Sequence, residues 1–145
     1  EALRQYNKTL GFTLFNLDPR LSETGQGAGT LPVGAGQTTY PQNASSAKSG
    51  FGIRSYFGAL ISADDVVKSK PDPETFLKCA EQVAVAPEHC IVFEDSPKGV
   101  ESAKRAGMKA VVLTTLHEAH EFDGMDHVLM CVQDFTDIKL KELLR

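Results

Sequence analysis

The chain has 145 residues, 41% hydrophobic and 23% charged, the size and balance of one globular domain. Its 15 Lys and Arg stand against 19 Asp and Glu, a formal net charge of −4. That balance argues against a nucleic-acid or anionic-membrane partner, since either would need a basic patch. No apolar run approaches the roughly 20 residues that span a bilayer, and the first residues lack the basic, apolar, small-residue order of a signal peptide. Cys79, Cys90 and Cys131 are widely spaced among apolar neighbours and fit neither a disulfide framework nor zinc spacing. A reducing compartment, most simply the cytoplasm, is therefore expected for a chain free of membrane. The oligomeric state is not legible, and a monomer is the default.

In chain order, residues 1–23 contain one strand-like apolar lead-in, Gly11 to Leu17, which runs into Asp18-Pro19-Arg20. Residues 24–50 are dominated by Gly, Thr, Gln, Ser and Pro, and 24–47 carry no charge. No period of 2 or 3.6 is sustained there, so the segment reads as loop or disorder, with at most a short strand near Thr38 to Tyr40. Residues 51–145 are patterned. Ala59 to Ser62 is a short buried-strand candidate. Asp72-Pro73-Glu74 then starts a helix, with Asp as cap and Pro at the first helical position. Phe76, Leu77, Ala80, Val83 and Ala84 follow at helical spacing. Cys90 to Phe93 is a second apolar run, Ser96-Pro97 repeats the cap signal, and Gly107 stops the helix. Ala110 to Leu113 and Val128 to Val132 are two further strands, and a final amphipathic helix is expected over about Asp134 to Leu144.

Short apolar strands alternating with helices of about ten residues predict an α/β fold, a Rossmann-like parallel sheet flanked by helices. In such sheets functional groups gather beyond the carboxyl ends of the strands. Glu94-Asp95 sits directly after the Cys90 to Phe93 run. Two adjacent carboxylates entering a helix suit Mg²⁺, which takes one or two protein carboxylates and keeps several waters. They also suit the positive end of the helix dipole without any metal, although Ser96 already serves that helix start. Lys70 stands just before Pro71 and Pro73 in KSKPDPETF, whose fixed geometry could let it neutralise a phosphate or a carboxylate. Its neighbour Lys68 reads as a solvated loop lysine. His117 and His120 read as surface residues, and Met108, Met125 and Met130 as packing residues.

The stretch KPDPETFLKCAEQVAVAPEHCIVFEDSPKGVESAKRAGMKAVVLTT resembles the second half of the haloacid dehalogenase-like hydrolases, in the branch with β-phosphoglucomutase and small sugar-phosphate phosphatases. The resemblance rests on KPxPxxF followed some twenty residues later by strand-EDSxxG, and covers about Phe51 to Arg145. It implies a Mg²⁺-dependent phosphatase or phosphomutase acting on a small phosphorylated metabolite such as a sugar phosphate. Lys70 would steady the transferring phosphoryl group, and Glu94 and Asp95 would hold the metal.

Family members carry a first motif like FDLDGTL, whose first aspartate attacks phosphorus and whose second protonates the leaving oxygen. Here Phe15-Asn16-Leu17-Asp18-Pro19-Arg20-Leu21 stands in its place. Asp18 matches the acid–base, while Asn16 replaces the nucleophile, and a carboxamide has no anionic oxygen to attack with. The segment is either a degenerate first motif or a coincidence. Ser45 and Ser46 are faint candidates for the family's phosphate-binding Ser or Thr, against the plainer reading of a Ser-rich loop. The helical cap that selects substrate in this branch has no visible counterpart in the Gly-rich segment.

Two further readings stand beside the enzyme. One is a non-catalytic, truncated or spliced relative that keeps only the Mg²⁺ and phosphate half, in which residues 11–18 either fill the central strand slot or leave the Cys90 to Phe93 edge exposed. The other is a receiver-like signalling domain, disfavoured because its acidic pair precedes its lysine.

Overall fold

The computed structural model describes residues 13–17, 34–36, 59–61 and 65–143. Six strands form one sheet: β1 (Thr13–Leu17), β2 (Gly34–Gly36), β3 (Ala59–Leu60), β4 (Cys90–Glu94), β5 (Lys109–Leu113) and β6 (Val128–Val132). Their order is β3-β2-β1-β4-β5-β6. The helices are α1 (Glu74–Gln82), α2 (Pro97–Arg105) and α3 (Ile138–Leu143).

β4, β5 and β6 run parallel, joined by α2 and by the loop over Thr114 to His127. β4 and β5 are buried on both faces, which is why they read as unbroken apolar runs, whereas β6 at the sheet edge is only partly buried. The pleat sorts them. Cys90, Val92, Ala110 and Val112 face α1 and α2 and pack with Phe76, Cys79, Ala80, Val100, Ala103 and Met108. Ile91, Phe93, Val111 and Leu113 face the opposite side and meet Val132 and Leu140, with Phe135 and Leu143 against them. Phe93 and Phe135 stack at 5.4 Å between ring centroids. Burial pushes the Cys79 thiol up to about 12 and the Cys90 thiol up to about 11, so both behave as small apolar residues. Met108 is fully buried, and Met125 and Met130 pack at the margins of the two cores.

The helix boundaries follow local chemistry. Asp72 accepts the Glu74 amide at 3.0 Å, so it serves the start of α1 although Pro73 occupies the cap position. The buried side of α1 is Thr75, Phe76, Cys79 and Ala80, while Leu77 is partly exposed. At α2 the expected cap is present: Ser96 Oγ accepts from the Gly99 amide at 3.1 Å, with Pro97 first in the helix. Gly107 ends it with φ +75, a conformation that favours glycine. The last helix begins four residues later than its periodicity suggests. Asp134 Oδ1 instead takes the Thr136 amide at 2.7 Å in a turn, and Asp137 takes the Lys139 amide at 2.9 Å at the new start.

The amino-terminal strands depart from the expected parallel order. β1 runs antiparallel to β4, with Leu14 opposite Phe93, Asn16 opposite Ile91 and Leu17 opposite Cys90. β2 pairs antiparallel with β1 and parallel with β3. β1 therefore occupies the central slot beside β4, as the apolar lead-in suggested, but in the reverse direction. β2 lies inside the Gly-rich segment read as loop. Its Gly-Ala-Gly has no alternation to reveal it, and backbone pairing with β1 makes the strand. The strand expected near Thr38 to Tyr40, and the residues Asp18, Ser45 and Ser46, lie outside the described residues. Among the described residues no helix is long and apolar enough to cross a membrane.

Candidate active site at the carboxyl ends of β4 and β5

Three segments converge beyond the end of β4. The first is the loop before α1, which delivers Lys70. Its side chain is 85% buried and its ammonium pairs with Glu94 Oε1. The same ammonium lies 4.9 Å from the centroid of the Phe76 ring, a second favourable contact for a cation taken out of water. The loop is tied down from both sides: the Asp72 amide donates to the Ser69 carbonyl at 3.1 Å, and Ser102 of α2 donates its hydroxyl to the Asp72 carbonyl at 2.7 Å. Lys68, two residues earlier, is 71% exposed and reaches only Asp72 at 3.6 Å. The contrast expected between these two lysines is present.

The second segment is the turn from β4 into α2. Glu94 is buried, and its Oε2 accepts from the Asp95 amide at 3.1 Å, the Ser96 amide at 3.1 Å and the Ser96 hydroxyl at 2.9 Å. A buried carboxylate is tolerable only when so matched. The spacing EDSxxG acquires a steric cause here. A Cβ at Gly99 would stand 2.0 Å from Glu94 Cδ and 2.1 Å from Oε2, so only glycine admits this carboxylate against the first turn of α2. Asp95 is half-buried and turned differently from Glu94. Burial first, and then the Glu94 charge beside it, push its carboxyl up, while a hydrogen bond from its own amide, the Lys70 charge and a hydrogen bond from Thr115 pull the other way.

The third segment follows β5, where Thr115 Oγ1 lies 3.4 Å from Asp95 Oδ2. Beyond it the loop faces solvent. His117 bonds Glu121 at 3.0 Å and sits edge-on to Phe122, and His120 is exposed, so both histidines are surface residues as expected.

The structure thus brings together Lys70, Glu94 and Asp95, which are separated by a helix and a strand in the sequence. It does not bring Asn16 to them. With β1 antiparallel, Asn16 stands level with Ile91, three residues before Glu94 or about 10 Å along the strand, and the carboxyl end of β1 points to the opposite edge of the sheet. The position expected for the nucleophile is therefore corrected: strand direction removes it from the acidic pair. The roles of Gly99 and Thr115 were not drawn from the sequence. Gly99 was visible as the last letter of EDSxxG, whereas Thr115 had no local signal, because its contact depends on β4 and β5 lying side by side.

The adjacent Glu94 and Asp95 carboxylates are hard oxygen donors of the kind Mg²⁺ takes, while the Lys70 ammonium beside them is itself a cation and no ligand. No group of three or more His, Cys, Asp or Glu is gathered among the described residues, so the cation would draw further oxygens from water and substrate, as Mg²⁺ ordinarily does.

The core is thus a parallel α/β sheet with an acidic pair and a buried lysine gathered at one strand edge. Residues 38–113, just over half of the chain, match the family model for haloacid dehalogenase-like hydrolases, and the chain belongs to that family. It is 41% identical over 83 residues to the fructose-1-phosphate phosphatase YqaB of Escherichia coli, covering 57% of this chain and 44% of that protein. Among solved structures, a family IA, variant 3 HAD hydrolase from Entamoeba histolytica superposes with a TM-score of 0.64 at 25% identity, covering 74% of this chain and 50% of the other. A putative β-phosphoglucomutase from Thermotoga maritima superposes with a TM-score of 0.52 at 32% identity, covering 66% of this chain and 45% of the other. The chain spans about half the length of these relatives, or somewhat less.

Proposed function

We propose that this chain carries the lysine and metal half of a Mg²⁺-dependent phosphoryl-transfer site for a small phosphorylated metabolite, with sugar phosphates as the first class to test. The observation that carries the proposal is the convergence of Lys70 with Glu94 and Asp95, 24 positions apart in sequence, at the carboxyl edge of the parallel strands. The likeness of this chain to a fructose-1-phosphate phosphatase and to a putative β-phosphoglucomutase supports the sugar-phosphate class.

Each residue has a task in this reading. Lys70, fixed against Phe76 and Glu94, presents its ammonium to an incoming phosphoryl oxygen. Thr115 holds Asp95 at the mouth of the site. Mg²⁺ bound at the acidic pair would offset the charge that builds on the transferred oxygens. Position 16 does not supply an attacking carboxylate, since the residue is an amide and its strand points away.

That observation favours a second reading, a binding-only member of the family that takes Mg²⁺ and phosphate without turnover. The two readings separate in one experiment: Mg²⁺ binding by calorimetry, and Mg²⁺-dependent phosphate release from an aryl phosphate and a sugar-phosphate panel, for the natural chain and Asp95→Asn. We expect Mg²⁺ binding to be lost in the variant and release to be absent from both proteins, the binding-only outcome. Release by the natural chain alone would make it an enzyme whose attacking carboxylate stands elsewhere than at position 16. Absence of Mg²⁺ binding by the natural chain would overturn the proposal.

A further inference from the structure

We infer that His127 is a proton-operated ion-pair exchanger: Asp126 serves Lys104 of α2 while the ring is neutral, and turns to His127 once the ring is protonated. Of the four histidines in the chain it is the buried one. It stands at the amino end of β6, at the opposite edge of the sheet from the candidate site.

The ring ties separate elements together. Its Nε2 lies 3.0 Å from the Val100 carbonyl of α2, and a carbonyl only accepts, so Nε2 carries the hydrogen. The backbone carbonyl of the same residue accepts from the Ala110 amide of β5 at 3.0 Å. His127 therefore joins α2, β5 and the start of β6. With the hydrogen on Nε2, the neutral ring leaves Nδ1 as a bare acceptor, and that atom is buried without a hydrogen-bond partner. A second proton has Nδ1 as its only place on the ring. The side chain is 8% exposed, and a charge so enclosed needs an anion beside it.

The charges on the surrounding elements leave one anion in reach. In α2, Lys104 and Arg105 stand in the last turn, and Arg105 is engaged by Glu101 at 2.8 Å. Lys109 opens β5 and is exposed, and Asp123 and Asp126 stand in the loop before β6. Among the described residues, Asp126 is the one acid that approaches the ring. Its Oδ1 lies 3.8 Å from His127 Nδ1 and 3.7 Å from Lys104 Nζ. Both separations exceed a hydrogen bond, and Asp126 is 84% exposed, so a small side-chain rotation closes either one. The neutral ring turns a lone pair towards Asp126 and repels it, which leaves the carboxylate to Lys104. The protonated ring instead presents an N–H in a partly desolvated place, where a charge-assisted bond outcompetes a lysine that is 52% exposed. Because Val100 follows Gly99, the exchange bears on the helix that begins at the candidate site.

The test uses the full chain, with Asp126→Asn and Lys104→Met beside it. Both substituted residues are exposed, so both variants should fold. Histidine ring nitrogens are followed by ¹H–¹⁵N correlation, and thermal melting is recorded, from about pH 8 to about pH 5, a range that brackets an ordinary histidine. In the natural protein His127 should start with its hydrogen on Nε2 and gain a second on Nδ1 as pH falls. The midpoint of that change should move to lower pH in Asp126→Asn, which loses the anion, and to higher pH in Lys104→Met, which loses the competitor. Asp126→Asn should also lower the melting temperature more at the acid end of the range than at the alkaline end, since the carboxylate stabilises the protonated ring. A ring that carries its hydrogen on Nδ1 at the alkaline end would overturn the inference. So would a midpoint unmoved by Asp126→Asn, or an equal loss of melting temperature at both ends.

Discussion

On one side of β4 lie β5 and β6, parallel to it; on the other lie β1 and β2, with β1 reversed. The parallel side sends every carboxyl end to one edge, so the residues that follow β4 and β5, Asp95 and Thr115, meet there although 20 positions separate them. The reversed side sends the carboxyl end of β1 to the other edge. Both sides satisfy the backbone of β4, so the exposed edge that a missing central strand would leave is covered. Among the described residues, Asp95 and Thr115 of the candidate site both follow strands of the parallel side. The comparison shows that pairing and catalysis place different demands on a strand: the ladder accepts either direction, but a nucleophile is useful in one.

Four changes press on that comparison, in descending order of effect. Met108→Ala removes a fully buried side chain ahead of β5 that packs between α2 and the sheet. It should cost about 2–5 kcal/mol in urea unfolding, and a negligible loss would show that the parallel half does not carry the stability. Gly99→Ala places a carbon on the Glu94 carboxylate. A loss of about 1–3 kcal/mol, together with a displaced Lys70 resonance, is expected, whereas a neutral result would show that the α2 start yields easily.

Glu74 probes pH. Its carboxylate is held down to about 2, first by the Lys78 hydrogen bond and then by the Lys68 and Val67 amides. A folded-state value below the ordinary 4.5 means that its contribution is present above pH 4.5 and is lost as pH falls towards 2. The natural protein should therefore melt above Glu74→Gln at pH 6, and the gap should close on acidification. A constant gap would place its origin in packing.

Asn16→Asp is the smallest. With β1 antiparallel the new carboxylate stays level with Ile91, so no phosphate release should appear in the sugar-phosphate panel. Gained turnover would mean that β1 lies parallel to β4 in solution.

Much of the carboxyl-terminal region was legible because local and tertiary signals agree there. Cys90 to Phe93 is apolar on both faces, Ser96-Pro97 caps α2, and Gly107 ends it. At the Asp134 turn a side chain competed with the helix for a backbone amide, and the periodicity alone set the start too early. At β2 the strand had no side-chain alternation to announce it.

The sequence by itself determined the α/β class from Phe51 onward, the identity of Lys70, Glu94 and Asp95 as the residues to watch, and the lack of a carboxylate at position 16. Those properties are written in composition, period and motif, which do not depend on how strands are stacked. Tertiary structure decided which way β1 runs, that Thr115 reaches Asp95, that Glu94 faces Lys70, and why position 99 is glycine. Each of those is a contact between segments far apart in the chain, set by backbone pairing and close packing rather than by any local preference.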